Sequence, residues 1–167
     1  MQLVRIADVV PGVRVKICGT IELLGAPLVA PISGRACAGF AASLYERNTY
    51  IDAPWRRVLL DDEVEPFLVR DQSGVALVRP RKIDVVWSVD VMRDADDAAA
   101  TERRWEEAAL VAGEPVTIVG MARLEPDPTA PSSYRQMATR PVFDSAAPSP
   151  LFVVDGEGLE ISSGRRA

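Results

Sequence analysis

Pro11-Gly12-Val13-Arg14-Val15-Lys16-Ile17-Cys18-Gly19 reappears near the other end of the chain as Ala112-Gly113-Glu114-Pro115-Val116-Thr117-Ile118-Val119-Gly120. Both copies set an alternating apolar run between glycines, the period of two expected of a strand with one buried face. A second pair follows the first. Pro66-Phe67-Leu68-Val69-Arg70-Asp71-Gln72-Ser73-Gly74 is answered by Pro150-Leu151-Phe152-Val153-Val154-Asp155-Gly156-Glu157-Gly158, each an apolar run stopped by an Asp-x-x-Gly turn. Strands and turns repeated in this way predict a mainly β protein, a small twisted sheet closed or partly open as a β-barrel.

Working outward, Gly19 is placed to bend or bulge the first strand before Ile21–Leu24 continues it. Pro27 and Pro31 hold Ala26–Cys37 extended and forbid a helix there. A tight turn at Ser33-Gly34 feeds a strand from Cys37 to Glu46. Its small residues Ala38, Gly39, Ala41 and Ala42 predict a close approach of backbone or sheet. Asn48–Pro54 reads as a hairpin loop, Trp55–Leu60 as the returning strand, and Asp61-Asp62-Glu63 as its end. Phe67–Arg70 and Val75–Val78 form a hairpin by their turn chemistry, and Ile83–Val91 alternates as a further strand. Asp94–Ala109 is rich in strong helix formers with Asp in its first turn, which predicts one helix near 94–112 ended by Gly113. Pro115–Leu124 is the last long strand. Glu125–Pro150 holds six of the thirteen prolines and is expected to be a long loop, with one edge strand around Pro141-Val142-Phe143.

The 167 residues, 48% apolar and 26% charged, suit a single globular domain spanning 1–167. Two cysteines, Cys18 and Cys37, are too few for a disulfide framework and read as buried thiols. Histidine is absent, which removes Ser-His-Asp and Cys-His nucleophile activation and the usual zinc sites. The first eight residues lack the pattern of a signal peptide, and no apolar stretch approaches the length of a membrane span. A soluble, cytoplasmic protein without membrane insertion is expected.

The net charge of −5 has the wrong sign for a protein that must neutralise phosphates, so nucleic acid is a disfavoured partner. Arginine makes up seventeen of the nineteen basic residues. Arg56-Arg57, Arg79 with Arg81-Lys82, and Arg103-Arg104 are the basic knots, and Arg56, Arg57, Arg79 and Arg81 are the candidate binding residues. Asp61-Asp62-Glu63 and Asp94, Asp96, Asp97 lack the every-second-residue spacing of a calcium loop. Trp55, Trp87 and Trp105 sit beside apolar neighbours and are read as packing residues rather than base-stacking platforms. No catalytic residue, cofactor or metal ligand is assigned.

In order and spacing, the opening Gly-x-x-Val-x-Ile-x-Gly strand, Ala26-Pro27-Leu28-Val29-Ala30-Pro31-Ile32-Ser33-Gly34-Arg35-Ala36-Cys37, Trp55, Pro66–Gly74 and Arg103-Arg104-Trp105-Glu106-Glu107 leading to Gly113–Gly120 resemble the GIDE domain. That domain is known from mitochondrial RING-type ubiquitin ligases and also occurs in bacterial proteins. The resemblance covers roughly Val13 to Ser163. It implies an OB-like barrel serving recognition and brings no catalytic residues with it. The ligases' RING cysteines and histidines and their membrane helices have no counterpart here, so neither ligase activity nor anchoring is implied. The expected function is a non-enzymatic module that binds another protein or its own oligomer, through an exposed sheet edge or the Glu125–Pro150 loop. The alternatives are an OB-type binder of single-stranded nucleic acid or a nucleotide and, further off, a hydrolase working through paired carboxylates.

Overall fold

The two copies of the repeated strand lie side by side. In the computed structural model, which describes residues 1–97, 100–131, 137–145 and 149–156, β1 (Arg14–Leu23) and β10 (Pro115–Pro126) form an antiparallel ladder with Ile17 opposite Ile118. These isoleucines hold the same place in the two copies. Arg14 faces Met121 and Thr20 faces Pro115, so the copies are related by a local two-fold centred on the Ile17–Ile118 pair. The second repeated pair flanks this ladder: β5 (Phe67–Arg70) pairs with β1, and β12 (Phe152–Asp155) with β10.

The barrel closes through β6 (Val75–Arg79), which leaves β5 by a hairpin, and β11 (Thr139–Asp144), which runs parallel to β6 and antiparallel to β10. The ring β1-β5-β6-β11-β10 returns to β1, so the expected OB-like barrel is closed and has five strands. Asp71 secures the β5–β6 turn. Its carboxylate accepts hydrogen bonds from the backbone N–H groups of Ser73, Gly74 and the distant Ile6, as well as from the Ser73 hydroxyl. Partial burial pushes its pKa up, but these bonds outweigh that and hold it below the usual carboxylate value.

Alternation fills the interior. Val15, Ile17 and Ile21 from β1 meet Phe67 and Val69 from β5, Ala76 and Val78 from β6, Val116 and Ile118 from β10, and Phe143 from β11. Each large apolar side chain removed from water stabilises the fold by roughly 1.5–3 kcal/mol. Gly19 occupies the inward position between Ile17 and Ile21 because the chain crosses too closely for anything larger. A Cβ there would stand 2.5 Å from the Arg70 carbonyl oxygen.

Two insertions into the barrel build a second sheet. The first, between β1 and β5, supplies β2 (Leu28–Val29), β3 (Ala36–Asn48) and β4 (Arg56–Val64). The second, between β6 and β10, supplies a 3-10 turn at Lys82–Asp84, then β7 (Val85–Val86), which pairs in parallel with β12 on the barrel's sheet, and then β8 (Val91–Asp94) and β9 (Thr101–Val111) of the second sheet. β3 is central, with β9 on one side and β4 and β2 on the other, while β8 lies outside β9. The small residues of β3 do mark a close approach. A Cβ on Gly39 would meet Val64 Cγ2 at 2.9 Å and the Trp87 ring at 3.2 Å. Ala38 and Leu110 join the barrel core, so the two sheets share one interior.

The structure corrects the expected helix near 94–112: its described residues are the end of β8, a non-helical connection and turn, and all of β9, and residues 98–99 lie outside the described residues. Trp105 and Ala109 fit a helical stripe, but Trp105, Glu107, Ala109 and Val111 fit period two equally well. Helix propensities differ by at most about 0.7 kcal/mol per residue among ordinary side chains. Here all eleven residues of β9 have partners on β3, and four also pair with β8. Burial of Glu107, Ala108, Ala109 and Leu110 adds to this, and the tertiary ladder wins.

Three smaller corrections follow. β10 extends to Pro126, and β11 cuts into the expected 125–150 loop as a barrel strand between β10 and β6, with neighbours on both sides rather than at an edge. Residues 132–136 and 146–148 of that loop lie outside the description. The expected strand 83–91 is broken into the 3-10 turn, β7 and the start of β8. Asp61-Asp62-Glu63 lies within β4, which continues to Val64. Both cysteines are free thiols, Cys37 buried and Cys18 half-buried. No described helix is long and apolar enough to cross a membrane.

Candidate functional site

The inserted sheet presents two differently covered faces. On one, the Pro31–Gly34 turn folds back over β9 and is pegged to Glu107, a carboxylate with 0% exposure. The backbone N–H of Ile32 donates to Glu107 Oε2 at 2.6 Å, and that of Ser33 to Oε1 at 3.2 Å. Arg93, from β8, donates to the Ile32 carbonyl at 3.1 Å. Ala30, Cys37, Phe40 and Ala109 pack beneath this turn. The Pro-Ile-Ser-Gly segment therefore covers an internal acid. Glu107 was invisible as such in the sequence, where it counted only as a helix former.

The opposite face carries an open groove of about 310 Å³ between the sheet and the Lys82–Val89 segment that crosses it. Ser43 and Tyr45 of β3, Arg57 and Leu60 of β4, Glu106 of β9 and Trp87 line it. Outside the groove lining, Trp55 is stacked by two guanidinium groups, Arg47 at 4.8 Å and Arg104 at 4.4 Å from the ring centre, and Arg104 also lies 5.7 Å from the centre of the Tyr45 ring. Trp55 is thus not the packing residue expected of it. Trp87 is, since it lies against the barrel core.

Beside the groove runs the outer edge of β4. Among the described residues this strand pairs only with β3, and Val58, Leu59 and Leu60 remain 40%, 48% and 43% exposed. The β3–β4 hairpin tip adds Tyr50 and Ile51, both exposed.

The four arginines marked in the sequence separate into two pairs. Arg79 is bound by Glu125 at 3.0 Å with Asp144 at 3.9 Å, and Arg81 lies 3.4 Å from Asp84. Arg56 and Arg57 project from opposite faces of β4, opposite Glu46 and Tyr45 respectively. Among the described residues neither side chain has a hydrogen bond, ion pair or ring contact, and every other described arginine side chain has at least one of these.

A second polar cluster gathers at the junction of the two sheets. Arg35 pairs with Asp90 at 3.1 Å and with Glu114 at 3.8 Å. Asp155 is pushed up to about 6, first by burial and then by the negative charges of Asp90 and Glu114; the Ser88 backbone N–H and Arg35 oppose this only in part. Its Oδ2 is buried without a hydrogen-bond partner. A glycosidase-like centre needs an acid of raised pKa facing a second acid across a cleft. Asp155 meets the first condition, while the acids that raise it are both tied to Arg35.

The sign of the Asp155 effect is fixed by its direction. A carboxyl that holds its proton more tightly when folded favours folding below its unfolded pKa of 3.8, and that advantage is lost as pH rises to about 6. Asp155→Asn is expected to raise stability by about 1–2 kcal/mol at pH 7.5, allowing for solvent screening, and by nothing near pH 3.5. Thermal melts of both proteins across this range check it. A gain that persists at acid pH would show that burial of the charge is not the cause.

Comparison with family models, with curated proteins and with solved structures finds no match to this chain.

Proposed function

We propose that the chain is a non-catalytic interaction module of the GIDE type, an OB-like barrel whose inserted sheet is the docking element for protein. The observation that carries this reading is the β4 edge. It is a nine-residue strand with one side unpaired among the described residues and three consecutive exposed apolar residues, beside a groove lined by Tyr45 and Trp87. A row of unused backbone donors and acceptors is a template for strand addition, and the groove gives side chains a place to bind. The Ala26–Cys37 motif takes a structural part in this reading. It buttresses the far face of the sheet through Glu107, so that the edge is presented rigidly.

The nucleic-acid alternative draws less support from the same residues. Arg79 and Arg81 are engaged by carboxylates, and the stacking surface of Trp55 is already visited by Arg47 and Arg104.

The test is affinity capture from native lysate, with and without nuclease, by the tagged wild-type chain and by a Leu59→Lys, Leu60→Glu double variant. Nuclease-resistant recovery of a discrete protein that the variant loses is expected. Recovery that depends on nucleic acid, or that ignores the variant, would overturn the reading.

A further inference from the structure

We infer that the occupant of the β4 edge is a second copy of this chain, joined by antiparallel pairing of β4 with itself across a two-fold axis. This rests on the reading of β4 as a docking edge and names its partner.

The charge order of the strand selects this partner and this direction. β4 begins Arg56-Arg57, continues Val58-Leu59-Leu60 and ends Asp61-Asp62-Glu63-Val64. Antiparallel self-pairing sets the basic end of one copy against the acidic end of the other, with Leu60 at the centre against itself. Parallel pairing would place like charges together, which is destabilising on a sheet face. Two-fold pairing also uses the same patch on both subunits and leaves no open edge to propagate, as a closed dimer requires.

Facing agrees with this register. The ladder with β3 slips by one residue, Leu44 opposing Leu59 and Tyr45 opposing Arg57, so Val58 is the extra residue of a bulge. The bulge shifts the phase of the strand. Arg56 and Glu63 fall on the face shared with Glu46 and Phe40, and Arg57 and Asp62 on the face shared with Tyr45 and Ala41. An antiparallel pair centred on Leu60, with Val58 extra in each copy, then matches faces throughout. Arg56 meets Glu63 of the second copy, Arg57 meets Asp62, Leu59 lies opposite Asp61, and Leu60 meets its own counterpart. In a strand without the bulge, Arg56 and Glu63 would point to opposite faces.

Within the chain these charges are left available. Arg56, Arg57, Asp61 and Glu63 form no ion pair among the described residues, and Asp62 reaches only Lys82, at 3.4 Å. Elsewhere every described arginine has a polar or charged partner, so the two unpartnered arginines coincide with a strand edge whose charge order is complementary to itself.

The experiment uses the full chain and measures mass by sedimentation over a dilution series. Wild type is expected to be a dimer that weakens as salt is added. An Arg56→Glu, Arg57→Glu variant and an Asp62→Arg, Glu63→Arg variant each bring like charges together and should dimerise roughly 100-fold more weakly or worse. Mixed in equal amounts, they should form a one-to-one heterodimer, because positions 56, 57, 62 and 63 of the acidic variant now face arginines at positions 63, 62, 57 and 56 of the basic one. Circular dichroism and melts confirm that each variant folds, and recovery of the heterodimer excludes misfolding as the cause of monomers. A monomeric wild type, or a dimer indifferent to both reversals, overturns the inference. Capture of a different protein through β4 by a chain that is itself monomeric would also overturn it, while leaving the docking function standing.

Discussion

Glu107→Ala is expected to cost about 2–4 kcal/mol of stability, since it opens a cavity at a fully buried position and strips two backbone donors of their acceptor. For a chain of this size that corresponds to a fall in melting temperature of very roughly 5–15 °C. The loss should also be local. Ile32 and Ser33 donate to this carboxylate, so their amides should exchange with solvent much faster in the variant, while amides of the β1–β10 ladder should speed up only as far as the loss of global stability requires. Glu107→Gln keeps an acceptor and most of the volume and should lie between the two. If amide exchange at Ile32 and Ser33 is the same in wild type and Glu107→Ala, the carboxylate does not hold the Pro31–Gly34 turn and its part in supporting the sheet is lost.

Phe143→Ala is expected to cost about 3–5 kcal/mol, the usual range for emptying a fully buried aromatic site. Phe143 faces Ala122 on β10 and Val78 on β6, so it sits where the parallel β6–β11 pairing closes the barrel. The control is Leu59→Ala on the open edge of β4, which should alter the stability of an isolated chain by about 0.5 kcal/mol or less. Denaturant titration of the two variants, at a dilution where association is absent, measures the contrast. Equal costs would mean either that β11 does not complete the barrel or that the β4 edge is covered within the monomer.

The contrast between these positions mirrors how the fold was encoded. The two Gly-bracketed copies and the two Asp-x-x-Gly copies were readable because a strand with one buried face writes its period directly into the chain. They supply four strands of the described structure, and the first pair forms the central ladder. β9 was misread because its residues are good helix formers, and its environment, a sheet position with partners on both sides, is set by segments as distant as Ala36–Asn48. Pro141-Val142-Phe143 was recognised as a strand but given to an edge, because nothing local announces a parallel partner more than sixty residues away.

The candidate site divides along the same line. Arg56 and Arg57 were read as one of three basic knots and Asp61-Asp62-Glu63 as the end of the strand; that the eight residues 56–63 form a single basic, apolar and acidic series matters only once β4 is placed. That β4 ends the sheet, that a bulge at Val58 rephases it, and that Arg79 and Arg81 are neutralised while Arg56 and Arg57 are not, depend on where other elements come to rest. Glu107 and Asp155 show this most plainly, since a carboxylate's burial, its donors and its charged neighbours are properties of the packed chain.

By itself, then, the order of residues determined a β protein built on paired repeats, closed by alternation and turns, with no histidine chemistry and a self-complementary charge pattern along one strand. Those are consequences of local stereochemistry and composition, which every copy of the chain carries before it folds. Tertiary structure alone decided that a helix-forming segment would be a central strand, that one glutamate would become an internal peg, and that the self-complementary strand would lie at an open edge. Hydrogen-bond partners and burial are supplied by residues far away in sequence, and they outweigh the small local preferences that a single segment can express.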